Sequence, residues 1–243
     1  MKRYIVAHKE FDESKFEKDY TILTNKLDLK FEHEVEYFEG LDDRLWSEIA
    51  AYKGLMDSLV KKETYENQVP VDWLQFNHYR RKFDRDIYNR LAVPEMAVLP
   101  VPVWKHYEQC HNGDDLRLMC DVVKEKTPVM IPALERTLNG NLLIPYTIAT
   151  LPYGIFKDYV NFLYVILSEV LKRMKVETYE DMIKHVTDND KYKGKLDDRP
   201  EYQARVVSFM AERLGTAYFN RLIEIGQPVF VAKVEKLEEN QKM

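Results

Sequence analysis

Apolar residues follow two different periods along this chain, and the switches between them predict its elements. Tyr4-Ile5-Val6-Ala7 is a short continuous apolar run, the pattern of a buried strand, and Ser14 is placed to cap a helix after it. Residues 33–38 alternate as a second strand that stops at Gly40. From 43 to about 62, Leu45, Trp46, Ile49, Tyr52, Met56, Leu59 and Val60 recur at helical spacing, with Asp43 as the cap. Pro70 then breaks the chain, and 71–77 reads as a strand that delivers His78-Tyr79-Arg80-Arg81 at its carboxyl end. Strand and helix in alternation predict an α/β fold, a mostly parallel sheet flanked by helices. In such sheets ligands sit beyond the carboxyl ends of the strands.

The second half of the chain is richer in helix. Residues 96–103, with Pro100 and Pro102, read as an extended segment lining the same sheet edge. Helical spacing returns at 115–126 and 128–138, and Leu142-Leu143-Ile144 opens an extended stretch interrupted by Pro145 and Pro152. A long amphipathic helix covers 153–174, and another covers 205–222. Between them, 187–199 is dense in Asp and Lys and reads as a mobile loop, a lid in form; the tail after Lys233 reads as solvated. With no internal repeat and no linker composition, residues 1–243 are expected to form one domain.

Composition narrows the class. Apolar residues at 45% supply a core, and 32% charged residues supply a solvated surface. No apolar run approaches the ~20 residues of a membrane span, and the first apolar stretch is too short for a signal peptide. A net charge of −5 argues against binding nucleic acid through bulk charge, leaving a local basic groove open. Only two cysteines occur, Cys110 and Cys120, which favours the cytoplasm. Ten residues of helix would hold them too far apart for a disulfide.

The residue types that carry chemistry are few. His78-Tyr79-Arg80-Arg81 at a strand end suits a phosphate or diphosphate, because guanidinium forks bind such oxyanions bidentately; a basic pair satisfied by Asp84 and Asp86 is the structural alternative. Asp84-Arg85-Asp86 has the Asp-x-Asp form that suits Mg²⁺ or Mn²⁺, and equally that of a solvated loop. His106, Cys110 and His111 hint at zinc, but no second cluster completes four ligands, so a zinc site is rejected. His111, with Asp114 and Asp115 after it, heads a helix. Arg205 and Glu212 share a helix face with Arg213 alongside, either as an ion-pair network or projecting into a cleft. Glycine-rich phosphate loops and a Gly-x-Ser-x-Gly elbow are absent from the sequence, which sets aside kinases, dinucleotide oxidoreductases and serine hydrolases.

Taken in order, several segments resemble one family. They are Ala7-His8-Lys9, a helix with Glu48 and Tyr52, His78-Tyr79-Arg80-Arg81-Lys82-Phe83, His111 ahead of Asp115-Leu116, and Gln203-x-Arg205-x-x-x-Phe209-x-x-Glu212-Arg213-Leu214. The sequence resembles the capsular and exopolysaccharide glycosyltransferases catalogued as domain of unknown function 4422, as a divergent member of a kind a phage could carry. It departs from them at Thr147-Ile148-Ala149, where the family has an Asn-Met-Phe-like segment, and before the Glu48 helix.

The resemblance implies a glycosyltransferase-A-like fold and sugar transfer from a nucleotide donor to a hydroxyl acceptor. Residues 1–103 would form the nucleotide-sugar half and 104–243 the acceptor side. Donor contacts are then expected from His8, Lys9, His78, Tyr79, Arg80, Arg81, Arg205 and Arg213, and catalytic roles from Glu212, Asp114 and His111. Mn²⁺ or Mg²⁺ held by Asp84 and Asp86 is one way to steady the diphosphate, and Arg80 and Arg81 without metal are the other. The acceptor is expected to be a glycan, with a hydroxymethylated base in phage DNA, modified in the host cytoplasm, as the alternative. A nucleotide-sugar-binding protein without catalysis is the alternative of another class.

Overall fold

The computed structural model describes residues 1–66, 71–145 and 147–237; Pro70, expected to break the chain, lies outside them. The chain opens with β1 (Lys2–Val6), a 3₁₀ turn at Glu13–Lys15, β2 (Tyr20–Thr24) and β3 (Glu34–Tyr37). Next come α1 (Asp43–Trp46), α2 (Glu48–Glu66), β4 (Trp73–His78), β5 (Arg81–Phe83), β6 (Ala92–Pro94) and β7 (Ala97–Val98). Three helices follow, α3 (Val103–Cys110), α4 (Gly113–Lys126) and α5 (Ile131–Asn139), then β8 (Leu142–Leu143) and β9 (Ala149–Pro152). The chain continues through α6 (Tyr153–Met174), α7 (Tyr179–Thr187), α8 (Pro200–Gln203), α9 (Val206–Glu224), β10 (Phe230–Ala232) and β11 (Val234–Lys236).

One sheet organises these elements in the order β10-β6-β9-β4-β1-β2-β3. Its β4-β1-β2-β3 portion is parallel, which aligns the carboxyl ends of β1, β2 and β4 along one edge. On the other side β9 enters antiparallel to both β4 and β6, so the sheet is mixed beyond β4. Tyr4, Val6, Leu74 and Phe76 point to the helical face, where Phe76 meets Tyr52 of α2 at 4.5 Å and Phe156 of α6 at 5.1 Å between ring centroids. The opposite face buries Ile5, Ala7, Ile22 and Tyr79 beneath Phe11, Phe16 and Phe31, which come from loops. Among the described residues no helix is long and apolar enough to cross a membrane. Both cysteines are free thiols.

Several expectations need correction. Ser14 caps no helix: it lies inside the 3₁₀ turn, whose cap is Asp12. Phe11 and Phe16 are spaced for no helical face and instead pack edge-to-face at 5.7 Å. The helix expected over 43–62 is two helices, because Ser47 adopts φ 52°, ψ −141° between them. Its cap is Asp42, whose side chain accepts the Arg44 N–H. Asp43 accepts instead from Asn25 (3.0 Å) and Lys26 (2.8 Å). Residues 97–98 leave the main sheet to pair with β8 in a separate ribbon, and α3 begins at Val103. Residues 187–199 are tethered rather than lid-like. The buried Tyr192 donates to Asp115 (2.5 Å), Lys195 donates to the Glu108 carbonyl (2.7 Å), and Lys191 pairs with Asp114. After Lys233, β11 pairs with β5, so the tail joins the sheet through residue 236.

Candidate active site

A cleft of about 340 Å³ opens where β1, β2 and β4 end. His8 follows β1, Asn25 follows β2, and Arg80 sits in the turn after β4. The α1–α2 joint contributes Asp43, Arg44, Ser47 and Glu48, while Glu201, Arg205 and Ser208 come from α8 and the start of α9. Several chain-distant segments therefore converge on the edge where a parallel sheet presents its ligand site.

The β4–β5 turn is built to present Arg80. His78 and Arg81 pair across the hairpin, leaving Tyr79 and Arg80 as its tip. The Tyr79 N–H donates to the Val6 carbonyl (3.3 Å), and the Arg80 carbonyl accepts the Leu237 N–H (2.9 Å). Tyr79 is buried behind the cleft, with its hydroxyl 3.1 Å from His8 Nε2. The Arg80 guanidinium and the Lys9 ammonium lie 5.2 Å and 5.4 Å from its ring centroid, so the quadrupole of one aromatic ring gathers both cations. Arg205 stands over Phe209 at 5.4 Å. Arg44 is occupied by Asp42 (2.7 Å) and Glu180 (2.8 Å).

Ionisation states follow from burial and neighbours. Burial pushes His78 down to about 4, against the pull of Glu48, so its imidazole is neutral at physiological pH. His78 Nδ1 accepts the Arg80 N–H at 3.1 Å, which places the proton of the neutral ring on Nε2, 3.6 Å from Glu48 Oε1. Burial opposes charge on Glu48. His78, the Ser47 hydroxyl (2.5 Å) and the backbone N–H at the start of α2 outweigh it and hold the carboxyl below its ordinary range. Burial also lowers His8. The cleft thus offers guanidinium groups, a neutral imidazole and an ionised carboxylate, a set that can bind an oxyanion and hydroxyls together.

Of the expected site residues, His8, Arg80 and Arg205 line this cleft. Tyr79 and His78 support it from behind, and Lys9 and Arg81 flank the turn. The remaining expected residues do not line the cleft, Glu212 being next to it and the others farther off. Arg213 is buried against α3, donating to the Phe209 carbonyl (2.9 Å) and lying 5.2 Å from the Tyr107 ring centroid. Glu212 is half-buried beside it (3.0 Å), one helical turn beyond Ser208. His111 is pushed down to about 3 by burial and bonds Gln203 (3.1 Å) between Phe209 and Tyr202, an interior latch. Asp114 is on the surface, paired with Arg117 and Lys191.

Asp86 binds Arg3 (2.6 Å) at the opposite end of β1, roughly 15 Å from the His8 end at ~3.3 Å per residue. Asp84 is beside Arg85 on the surface, so the Asp-x-Asp pair does not face the cleft. The cleft's own carboxylates are already matched, Asp43 by Lys26 and Glu48 by Ser47 and His78. Among the described residues no group of three His, Cys, Asp or Glu side chains could hold a metal ion. These residues do not fit a preformed metal centre.

Sequence reasoning overlooked Asn25, Ser47, Ser208 and Glu201 as lining residues. Their signal was weak: Asn25 follows an unrecognised strand, and Ser47 acquires meaning only through its backbone angle. Thr147-Ile148-Ala149 belongs to the interior, with the Thr147 carbonyl accepting the Tyr52 hydroxyl and Ala149 paired with Phe76.

Residues 89–188 match the family described as "Domain of unknown function (DUF4422)". Of the cleft-lining residues only Tyr179 falls in that stretch, and both the His78–Phe83 and the Gln203–Leu214 segments lie outside it. No curated protein matches the chain. Among solved structures, WbbM, a bifunctional glycosyltransferase in its apo form, is similar in fold, with a TM-score of 0.69 at 16% identity. The alignment covers 98% of this chain and 45% of WbbM, so the chain spans less than half of that protein. Over residues 89–188 the chain thus matches the DUF4422 family model, and as a whole it has an α/β fold similar to that of a solved glycosyltransferase.

Proposed function

We propose that the protein is a cytoplasmic glycosyltransferase that moves a sugar from a nucleoside-diphosphate donor to a hydroxyl of a growing glycan. One observation carries this reading. Arg80 and Arg205, far apart in sequence, line the same cleft as His8 at the carboxyl edge of the parallel strands. Sugar transfer breaks the bond between the anomeric carbon and the diphosphate oxygen. The bonding electrons leave on that oxygen, and guanidinium groups already in place stabilise the charge as it develops. For an inverting transfer the acceptor oxygen attacks the anomeric carbon and gives up its proton to a carboxylate. Glu212, on the Ser208 side of α9, is assigned that role, with Arg213 at 3.0 Å orienting it. Asp114 is unsuited to it, since Arg117 and Lys191 neutralise it at the surface. The WbbM fold likeness supports the reaction class.

The test is calorimetric titration with UDP, GDP, CDP and ADP, beside a donor-hydrolysis screen of nucleotide sugars with and without Mn²⁺. A charge-assisted hydrogen bond contributes about 1.5–3 kcal/mol, so Arg80→Ala and Arg205→Ala should each weaken diphosphate binding by about 10–100-fold. Unchanged affinity in both variants refutes the placement of the diphosphate. Tight nucleotide binding with no turnover on any donor or acceptor would make the protein a binding module instead.

A further inference from the structure

The Arg80 side chain projects from a two-residue turn, and a turn tip is a poor platform unless something fixes it. Its amide N–H is bound by the His78 side chain two residues earlier, at 3.1 Å. Asx side chains hold turns by the same contact from a side-chain oxygen, and a histidine ring does so only if its Nδ1 lacks a proton and faces the turn. Both conditions depend on the other ring nitrogen. His78 Nε2 is buried and has no hydrogen-bond partner within ordinary distance, and Glu48 Oε1 lies 3.6 Å away. Glu48 in turn accepts the Ser47 hydroxyl through its other oxygen. Ser47 carries φ 52°, ψ −141°, a conformation that is costly for a residue with a Cβ and survives only where the surroundings impose it. The strained joint starts α2 at Glu48, so that its carboxylate faces the β4 end.

We propose that Glu48 is a positioning residue: through His78 it fixes the tautomer and orientation that lock the Tyr79–Arg80 turn, and thereby aims Arg80 at the donor diphosphate. This rests on the reading of the cleft as a diphosphate site. The arrangement runs against simple electrostatics, because a carboxylate beside an anion site repels its ligand. Glu48 therefore makes opposite contributions through space and through the turn, and its variants separate them.

The experiment titrates UDP, GDP and inorganic pyrophosphate into wild type, Glu48→Ala, Glu48→Gln, His78→Asn and Arg80→Ala, with Glu48→Ala also placed in the last two backgrounds. Glu48→Ala is expected to weaken binding by about 10-fold although it deletes a like charge. Glu48→Gln keeps an acceptor for the His78 Nε2–H while deleting the charge, and is expected to bind as tightly as wild type or more so. Asparagine at position 78 presents Oδ1 where the histidine has Nδ1 and orients itself without Glu48. His78→Asn should therefore bind within about 3-fold of wild type and be indifferent to Glu48→Ala. In Arg80→Ala, removing Glu48 should cost nothing further, since contacts acting through one residue are non-additive.

Tighter binding in Glu48→Ala, or an equal loss with and without Arg80, overturns the proposal. If Glu48→Ala does not fold, Glu48→Gln and His78→Asn decide: a loss above about 10-fold in both refutes it. Should Arg80→Ala bind like wild type, this inference fails; should Arg205→Ala do so as well, the diphosphate reading fails with it. Either result is distinguishable from the expected loss of about 10–100-fold in Arg80→Ala combined with an inert Glu48→Ala, which overturns this inference and leaves the diphosphate reading standing.

Discussion

Asp115 should make the protein's stability depend on pH in an unusual direction. It is buried in the first turn of α4, where it accepts hydrogen bonds from Tyr192 (2.5 Å) and Asn112 (3.3 Å). Burial is the largest influence and raises its pKa to about 7 from an ordinary 3.8, against the Tyr192 hydrogen bond. A folded carboxyl with a raised pKa binds its proton more tightly than the unfolded chain does. Its stabilising contribution is complete below about pH 4 and is lost progressively until about pH 7. At ~1.4 kcal/mol per pH unit the whole span is about 4 kcal/mol. The α4 macrodipole acts in the opposite sense, which makes that figure an upper bound. Asp115→Asn removes the titration and keeps an acceptor for Tyr192. Urea unfolding of both proteins at pH 5, 6, 7 and 8 should show the variant gaining on wild type by about 1–3 kcal/mol as pH rises, since only about two of the three pH units of the span fall in that range. The difference between the two isolates Asp115, because carboxylates with lowered pKa values, such as Asp42 and Asp43, titrate alike in both. A stability difference that stays flat from pH 5 to 8 would refute the reasoning.

Three further outcomes are expected. Gly54→Ala places a Cβ 2.6 Å from Phe38 Cβ; the crowding costs about 1–3 kcal/mol and outweighs a helix-propensity gain of about 1 kcal/mol, so the thermal midpoint should fall. Ser47→Gly and Ser47→Ala both lose the hydroxyl bond to Glu48, but only glycine accepts φ 52° without strain. The alanine variant should therefore be the less stable by about 1 kcal/mol in urea unfolding. Asp86→Asn weakens the pairing of the buried Arg3 and should destabilise by about 1–3 kcal/mol. Nucleoside-diphosphate affinity and any response to Mn²⁺ should be unchanged in Asp86→Asn, as in Asp84→Asn, which calorimetry can read directly.

The elements easiest to read from the sequence were those with one environment along their length. β1, β4, α6 and α9 carry continuous apolar runs or sustained helical spacing, and the structure has them within a few residues of expectation. β2 was missed because Tyr20–Thr24 is buried throughout yet holds two threonines and a tyrosine, and Tyr20 serves as acceptor for Gln75 and Asn77. The α1–α2 break was illegible because apolar spacing continues through Ser47 while its backbone does not. In the cleft, strand-end position brings His8 and Arg80 together, and the C-terminal motif brings Arg205. Arg213 of the same motif and His111 of the segment ahead of Asp115 lie in the interior instead, since a charged or titratable residue on a buried helix can as readily serve packing as chemistry. Arg213 is 1% exposed, held by helix carbonyl and aromatic ring.

The backbone bond between Leu237 and Arg80 joins residues far apart in sequence, and β11, which follows α9 and β10 in the chain, pairs with β5 beside the arginine turn. Loop closure over such a separation comes late in folding, because its entropic cost precedes its reward. The cleft is therefore finished by contacts from both flanks of the family-matched stretch, and an excised 89–188 fragment would keep much of the helical half and none of the arginine turn. Deletion mapping would find anion binding lost from either side long before the helices melt, making ligand affinity a reporter of whole-chain assembly rather than of a transplantable module.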